Sequence, residues 1–401
     1  MTFIQFLVLL ALIPIIFYVY RIAKYSGKIK PVNKSSRALS FLNGKESSLF
    51  YVANLKYGMD PYINTNAAFT CNKFNYKPRR EMLKGADGGE FGVDWFDLPQ
   101  QEKLSDKAPI VIFVHGINGG SHERYLSKCA RRCANCGWRT ACVICRGCCG
   151  TTLTTLKTYN GGNTEDIHIA CREISKRYPQ APITIVGYSL GGNMVAKYLG
   201  EQKSKNVPYC RYQHIIDHES VPKNVICGIV VGNPFDLKGT NEGISIKEQL
   251  TYGAGLWKHA MKHEESLKSV KGFTEYKAAK KHFVRDFDKI FTCQFYGYDN
   301  PEQFYEDASS KKYLDGVSVP LLCISYRNDP VSIFKCFPEM ELSKNPNIGA
   351  LVFPGGGHLG GFATTSSKKA VDEDLVVKMI KFESEKWVKE RKLGNDDNKD
   401  E

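Results

Sequence analysis

The apolar positions of this chain fall into two kinds of run. Stretches of four to seven residues, mostly apolar, recur at Pro109–Val114, Thr140–Cys145, Pro182–Val186, Val225–Val231, Val319–Ser325 and Ala350–Phe353. Such runs suit strands buried on both faces of a parallel sheet. Gly92–Asp97 alternates instead, like a strand with one buried face. Between most of these strands lie segments with helical spacing, so the pattern predicts βα units and a doubly wound, mostly parallel sheet. In such a sheet, ligands sit beyond the carboxyl ends of the strands. Residues 233–316 break the alternation with a long, mixed helical insertion between two buried strands, and we expect it to form a cap over the site.

The first run is of another kind. Thr2–Tyr20 contains 19 residues without a charge. At ~1.5 Å per residue a helix over it reaches ~28 Å, about one hydrocarbon thickness. Aromatic residues and then cations follow it, where a cleaved leader would end in small residues, so residues 2–20 are expected to be an uncleaved transmembrane anchor. A cleaved leader or a buried helix is the alternative. Residues 21–80 read as a basic linker and irregular lead-in, residues 81–390 as the folded domain, and residues 391–401 as a frayed acidic tail.

Composition refines this organisation. The chain has 401 residues, 42% of them hydrophobic and 24% charged, which excludes a disordered or collagenous chain. Its formal charge of +13 favours an anionic partner. Seven of the cations (Arg21, Lys24, Lys28, Lys30, Lys34, Arg37 and Lys45) follow the apolar run with no acid among them. That flank favours a bilayer as the partner and a cytosolic position for the large folded domain, with the endoplasmic reticulum a candidate membrane. Fourteen cysteines in irregular clusters agree with a reducing compartment. No nucleic-acid-binding module is recognised, and protein partners are left unassigned.

The chemistry centres on Ser189. The strand Ile183–Val186 runs into Gly187-Tyr188-Ser189-Leu190-Gly191-Gly192 and then into a helical stretch. Strand, sharp turn and helix is the context in which a serine is held exposed in a strained turn that only flanking glycines permit. A serine hydroxyl is a poor nucleophile at neutral pH and needs a histidine base oriented by a carboxylate. His358 lies on the glycine-rich loop after the strand ending at Phe353, and Asp329 in the loop after Val319–Ser325, at the same end of the sheet. Ser189, Asp329 and His358 are therefore the expected catalytic residues. His259, His263 and His282 fall in basic stretches of the insertion and are expected to be solvated or lipid-facing, with Asp236 and Asp299 available for substrate contacts. Oxyanion donors are expected from the backbone N–H groups of Leu190 and Ile117, Gly116 competing with Ile117, while His115 is read as structural support beneath them.

Two other readings are weaker. Cys129, Cys133, Cys136, Cys142, Cys145, Cys148 and Cys149 crowd 21 residues, a density reminiscent of zinc ligands. The first three recur on one helical face, however, and Cys142–Cys145 lie in a buried strand, so packing is preferred; no metal and no organic cofactor is expected. The basic, aromatic stretch Trp257–Ile290 would suit either anionic headgroups or plain solvent.

The ordered set Asp87-Gly88-Gly89, Asp94-Trp95, His115-Gly116, Arg146-Gly147-Cys148, Leu153-Thr154-Thr155, Asn163-Thr164-Glu165-Asp166, Gly187–Gly192, Asn328-Asp329 and Gly356-Gly357-His358 resembles the α/β-hydrolase-domain family of single-pass membrane lipases and esterases. The resemblance covers roughly Arg80–Phe362. It implies an α/β-hydrolase fold, Ser189, Asp329 and His358 as the family triad, and a lipid ester as substrate: an acylglycerol, a phospholipid or a medium-chain fatty acyl ester. The sequence departs from the family pattern at Cys148-Cys149-Gly150 and in the lead-in Met59–Lys77. The expected function is a membrane-anchored serine hydrolase working through an acyl-enzyme on Ser189. The alternatives are an acyltransferase using the same intermediate and a non-catalytic membrane scaffold.

Overall fold

The computed structural model describes residues 3–54, 56–58, 60–70, 77–96, 104–204, 220–360 and 371–396. A nine-stranded sheet organises them. In chain order its strands are β1 (Lys30–Val32), β2 (Arg79–Lys84), β3 (Glu90–Trp95), β4 (Ile110–Val114), β5 (Arg139–Ile144), β6 (Ile183–Tyr188), β7 (Val225–Val231), β8 (Leu321–Tyr326) and β9 (Ile348–Phe353). Their spatial order is β1-β9-β8-β7-β6-β4-β5-β3-β2. The six strands from β9 to β5 are parallel, while β1, β3 and β2 pair antiparallel at the two sides. The central strands are those written as unbroken apolar runs, since helices cover both their faces.

Two strands of this sheet escaped the sequence reading. Lys30-Pro31-Val32, within the stretch read as basic linker, pairs with Ala350–Val352 and closes one edge of the sheet. It holds a proline, which an edge strand tolerates because one side of its backbone needs no partner. Arg79–Lys84, at the boundary of the lead-in, forms the opposite edge, and its charges lie where solvent reaches them.

Helix α1 (Phe3–Tyr25) carries exposed apolar side chains from Val8 to Val19 and is long and apolar enough to cross a membrane. It is followed by α2 (Pro61–Thr70), α3 (Arg124–Asn135), α4 (Glu165–Arg177) and α5 (Leu190–Gly200). Between β7 and β8 the insertion holds α6 (Leu237–Gly243), α7 (Ile246–Lys262), α8 (Val284–Phe287), a π-helical turn at Asp288–Thr292, and α9 (Pro301–Ala308). Helix α10 (Val371–Asp396) ends the described chain, so residues 397–401 of the expected tail lie outside it.

The insertion is bolted to the sheet by Asn193 of α5. Its carboxamide nitrogen donates to the carbonyls of Gly161 (2.9 Å) and Ala308 (2.7 Å), and its oxygen accepts from the Ser310 N–H at 2.9 Å. All three bonds are buried, so the helix that starts at Ser189 and the cap share one fixed geometry.

The insertion is also more deeply packed than its charge suggested. Leu256, Phe273, Tyr276 and Phe287 belong to the core, and so do two histidines expected at the surface. His259 bonds the Thr158 hydroxyl at 2.8 Å, and His263 Nε2 lies 2.8 Å from the Gly147 carbonyl. Burial, aided by the neighbouring His263 and Lys262 charges, pushes the His259 pKa down to about 3. The lysines occupy the outer face of the same helix; the histidines fill its inner one.

Of the cysteine cluster, Cys129 and Cys133 face the core from α3, and Cys142 and Cys145 are buried by the sheet. Cys136 departs from the expected face. Helix α3 has ended at Asn135, and Cys136 caps it in an exposed position.

Three motif segments that are far apart in sequence converge on one buried arginine. Arg146, in the loop after β5, donates to both carboxylate oxygens of Asp166 (2.9 and 2.7 Å) and to Asp87 at 2.7 Å. Asp166 lies in the first turn of α4 and also accepts from Asn163 at 3.1 Å. Burial lowers the Arg146 pKa, but Asp166 and Asp87 outweigh it and hold the guanidinium well above its usual value. Arg146→Met should therefore destabilise the protein by about 3–5 kcal/mol, since it strands a buried Asp166 carboxylate. The midpoint of urea unfolding measures this.

Candidate active site

The β6–α5 junction places Ser189 in a backbone conformation unusual for serine, with φ 54° and ψ −122°. Two glycines make the turn sterically possible. A Cβ on Gly187 would strike Gly191, and one on Gly191 would strike the carbonyls of Val114 and His115. The Ser189 N–H donates to the Val231 carbonyl at 2.9 Å, which fixes the elbow to the neighbouring strand.

The loops after β8 and β9 bring the other two expected residues to this point. Ser189 Oγ lies 2.8 Å from His358 Nε2, and His358 Nδ1 lies 2.8 Å from Asp329 Oδ2. A carboxylate can only accept, so Nδ1 carries the proton and Nε2 is left as the acceptor of the serine hydroxyl. The other carboxylate oxygen, Oδ1, accepts from the backbone N–H groups of Val331 and Ser332, both at 2.8 Å. Asp329 thus has no freedom to rotate away. Ser189, Asp329 and His358 are 8%, 5% and 1% exposed, leaving only the hydroxyl side of the array open to a ligand.

The loop Gly116–Gly120 faces Ser189. Its Gly116 N–H donates to the Tyr125 hydroxyl at 3.1 Å, so it is already engaged. The Ile117 and Leu190 N–H groups have no acceptor among the described residues, and both residues line the pocket beside Ser189. His115 supports this arrangement from below. The Cys145 N–H donates to its Nε2 at 3.1 Å, so Nδ1 holds the proton and donates to the Gly116 carbonyl at 2.7 Å. Burial pushes its pKa down to about 4, which keeps it neutral in that role. Because the peptide is planar and trans, fixing the Gly116 carbonyl also fixes the Ile117 N–H on the opposite side.

A pocket open to solvent leads to Ser189. Leu237, Leu256, Phe287 and Phe304 of the insertion line it with Ile117 and Leu190. Its one buried acid is Asp288 on the π-helical turn, which accepts from the Thr292 and Tyr305 hydroxyls at 2.7 and 2.9 Å. Burial raises its pKa to about 6. The runners-up for substrate contact fare differently: Asp236 caps α6 through the Gly239 N–H and pairs with Lys311, and neither Asp236 nor Asp299 lines the pocket.

Sequence reasoning missed Tyr125, Tyr159 and Asp288. Tyr159 accepts from the Asn118 N–H at 2.8 Å and donates to the Asn118 side chain at 3.0 Å, holding the loop as Tyr125 does. No motif marks these tyrosines. The π turn at Asp288 has no signature in residue spacing.

Comparison with known proteins is consistent with this geometry. Residues 109–208 match a family model described as alpha/beta hydrolase fold. The chain is 30% identical over 305 residues to a monoacylglycerol lipase of Saccharomyces cerevisiae, covering 73% of this chain and 64% of that protein. It is 28% identical over 294 residues to human phospholipase ABHD3, covering 73% and 68% of the two chains. It is 26% identical over 386 residues to medium-chain fatty acid ethyl ester synthase/esterase 2 of Saccharomyces cerevisiae, covering 77% and 83%.

Proposed function

We propose, from the premise that this chain belongs to the α/β-hydrolase superfamily, that it is a membrane-anchored serine hydrolase that cleaves carboxylic esters of lipids. The observation that carries this reading is the unbroken hydrogen-bond chain from Ser189 through His358 to Asp329 at the floor of an apolar pocket. The lipase, phospholipase and esterase names of its relatives support the substrate class.

The chemistry follows from the atoms present. His358 Nε2 takes the Ser189 proton as Oγ attacks the ester carbonyl, and the carbonyl oxygen becomes an oxyanion facing the Ile117 and Leu190 N–H groups. Asp329 stabilises the imidazolium that forms. His358 then returns the proton to the leaving alcohol, which departs and leaves an acyl group on Ser189. Water activated by the same histidine releases the fatty acid and restores the serine. An alcohol in place of water would give a new ester, a second reading favoured by the synthase/esterase name of one relative. No step calls for a metal or an organic cofactor.

Helix α1 serves in this reading as the anchor, with the cations after it on the cytosolic side. The acyl chain occupies the pocket lined by Leu237, Leu256, Phe287 and Phe304. The test is fatty-acid release by the full-length protein in vesicles, from monoacylglycerols, phosphatidylcholines and ethyl esters of graded chain length. The reading expects turnover of at least one class. Turnover of none by protein whose fold is intact would overturn it.

A further inference from the structure

We infer that helix α2, which lies ahead of the sheet's long central strands in sequence, is a positioning element for the histidine base, and that Thr65 is its key contact. This inference rests on the reading of His358 as the general base. Three residues of the His358 loop have positive φ: Gly356 (136°), Gly357 (61°) and Leu359 (60°). The last is unfavourable for a leucine, so such a turn needs outside bonds to hold it.

Helix α2 supplies them. The His358 N–H donates to Thr65 Oγ1 at 2.8 Å, and the Thr65 hydroxyl in turn donates to the Pro61 carbonyl at 2.7 Å. One turn of helix therefore ends on the base's own backbone. Beside it, the buried carboxamide of Asn64 lies 2.9 Å from the Gly356 carbonyl and 2.7 Å from that of Gly360. Two acceptors require its nitrogen on that side, so Asn64 spans the loop from end to end. The approach is so close that a Cβ on Gly357 would collide with Pro61 and Thr65. From the opposite side, Asn328 accepts from the Gly357 N–H at 3.0 Å.

The helix is itself anchored at its start. Asp60 accepts from the N–H groups of Tyr62 (2.8 Å) and Ile63 (3.2 Å), an N-cap followed by proline at the first helical position. Its other oxygen accepts from Arg21 of α1 at 3.1 Å. A continuous set of contacts thus runs from the foot of the apolar helix to the backbone of His358. A displacement of about 1 Å in a catalytic group can cost about 10²-fold in rate, which sets the scale of what α2 protects.

Kinetics of the full-length protein test this. Thr65→Val keeps the shape but removes the acceptor, and it should lower kcat about 10- to 100-fold with KM within about twofold of wild type. Thr65→Ser restores the oxygen and should return kcat to within about threefold, a rescue that bulk packing would not produce. If Thr65→Val fails to fold, Asn64→Ala, which frees the loop ends, carries the same expectation. Wild-type kcat in a folded Thr65→Val or Asn64→Ala protein overturns the inference, as does a Thr65→Ser variant no better than Thr65→Val. His358→Ala separates the two levels: wild-type kcat in that variant defeats the base assignment itself, whereas an inactive His358→Ala beside a fully active Thr65→Val defeats only the role of α2.

Discussion

Replacing Ser189 with alanine is expected to lower kcat for lipid-ester hydrolysis by on the order of 10⁶-fold, with the protein still folded. The loss is large because the three residues act as a unit: without Oγ there is no covalent intermediate, and neither His358 nor Asp329 has a group to activate. The variant should fold because alanine keeps the Cβ that the elbow already accommodates at φ 54° and removes only an atom that faces the pocket. His358→Ala should fall to a comparable level for the same reason. Initial rates at saturating substrate measure both effects, and a melting temperature at or above that of wild type confirms that the fold survives.

Asp329→Asn should cost on the order of 10⁴-fold in kcat, although it changes a single atom. The geometry explains so large an effect. Oδ1 of Asp329 accepts from two backbone N–H groups, so an asparagine oxygen must stay in that position. The carboxamide nitrogen is then directed at His358 Nδ1, where the carboxylate oxygen had been. Two donors cannot face each other, so the ring must adopt the tautomer with the proton on Nε2. Nε2 can then no longer accept from Ser189. The stabilisation of the imidazolium is lost together with the tautomer. KM should change little, because Asp329 is buried behind the histidine and does not line the pocket.

Much of this arrangement was legible in the sequence because each residue of the proposed triad sits where a strongly patterned strand ends. Ile183–Tyr188, Leu321–Tyr326 and Ile348–Phe353 are buried along their whole length, and the loops that follow such strands are fixed by the sheet, so the positions of Ser189, Asp329 and His358 could be expected from their distance to a strand end. What escaped the reading depends on contacts between distant segments. Lys30–Val32 is too short and too charged to register as a strand, yet it completes the edge beside β9. Thr65 lies 293 residues before the backbone it holds, on a helix whose sequence Pro-Tyr-Ile-Asn-Thr-Asn-Ala-Ala-Phe-Thr shows no clear apolar stripe. His259 and His263 were obscured by the lysines around them, since charge along a helix does not reveal which face the histidines take. The bond that engages the Gly116 N–H, to the Tyr125 hydroxyl, also escaped the reading, since no motif announces that tyrosine.

Covalent trapping tests whether Ser189 is a nucleophile activated by His358. The full-length protein treated with a fluorophosphonate, then digested and analysed by peptide mass spectrometry, should carry one adduct, on the peptide containing Ser189. Labelling should be lost in Ser189→Ala and slowed by several orders of magnitude in His358→Ala. An adduct on another residue that persists in Ser189→Ala, or a folded wild-type protein that takes up no probe, would contradict the account.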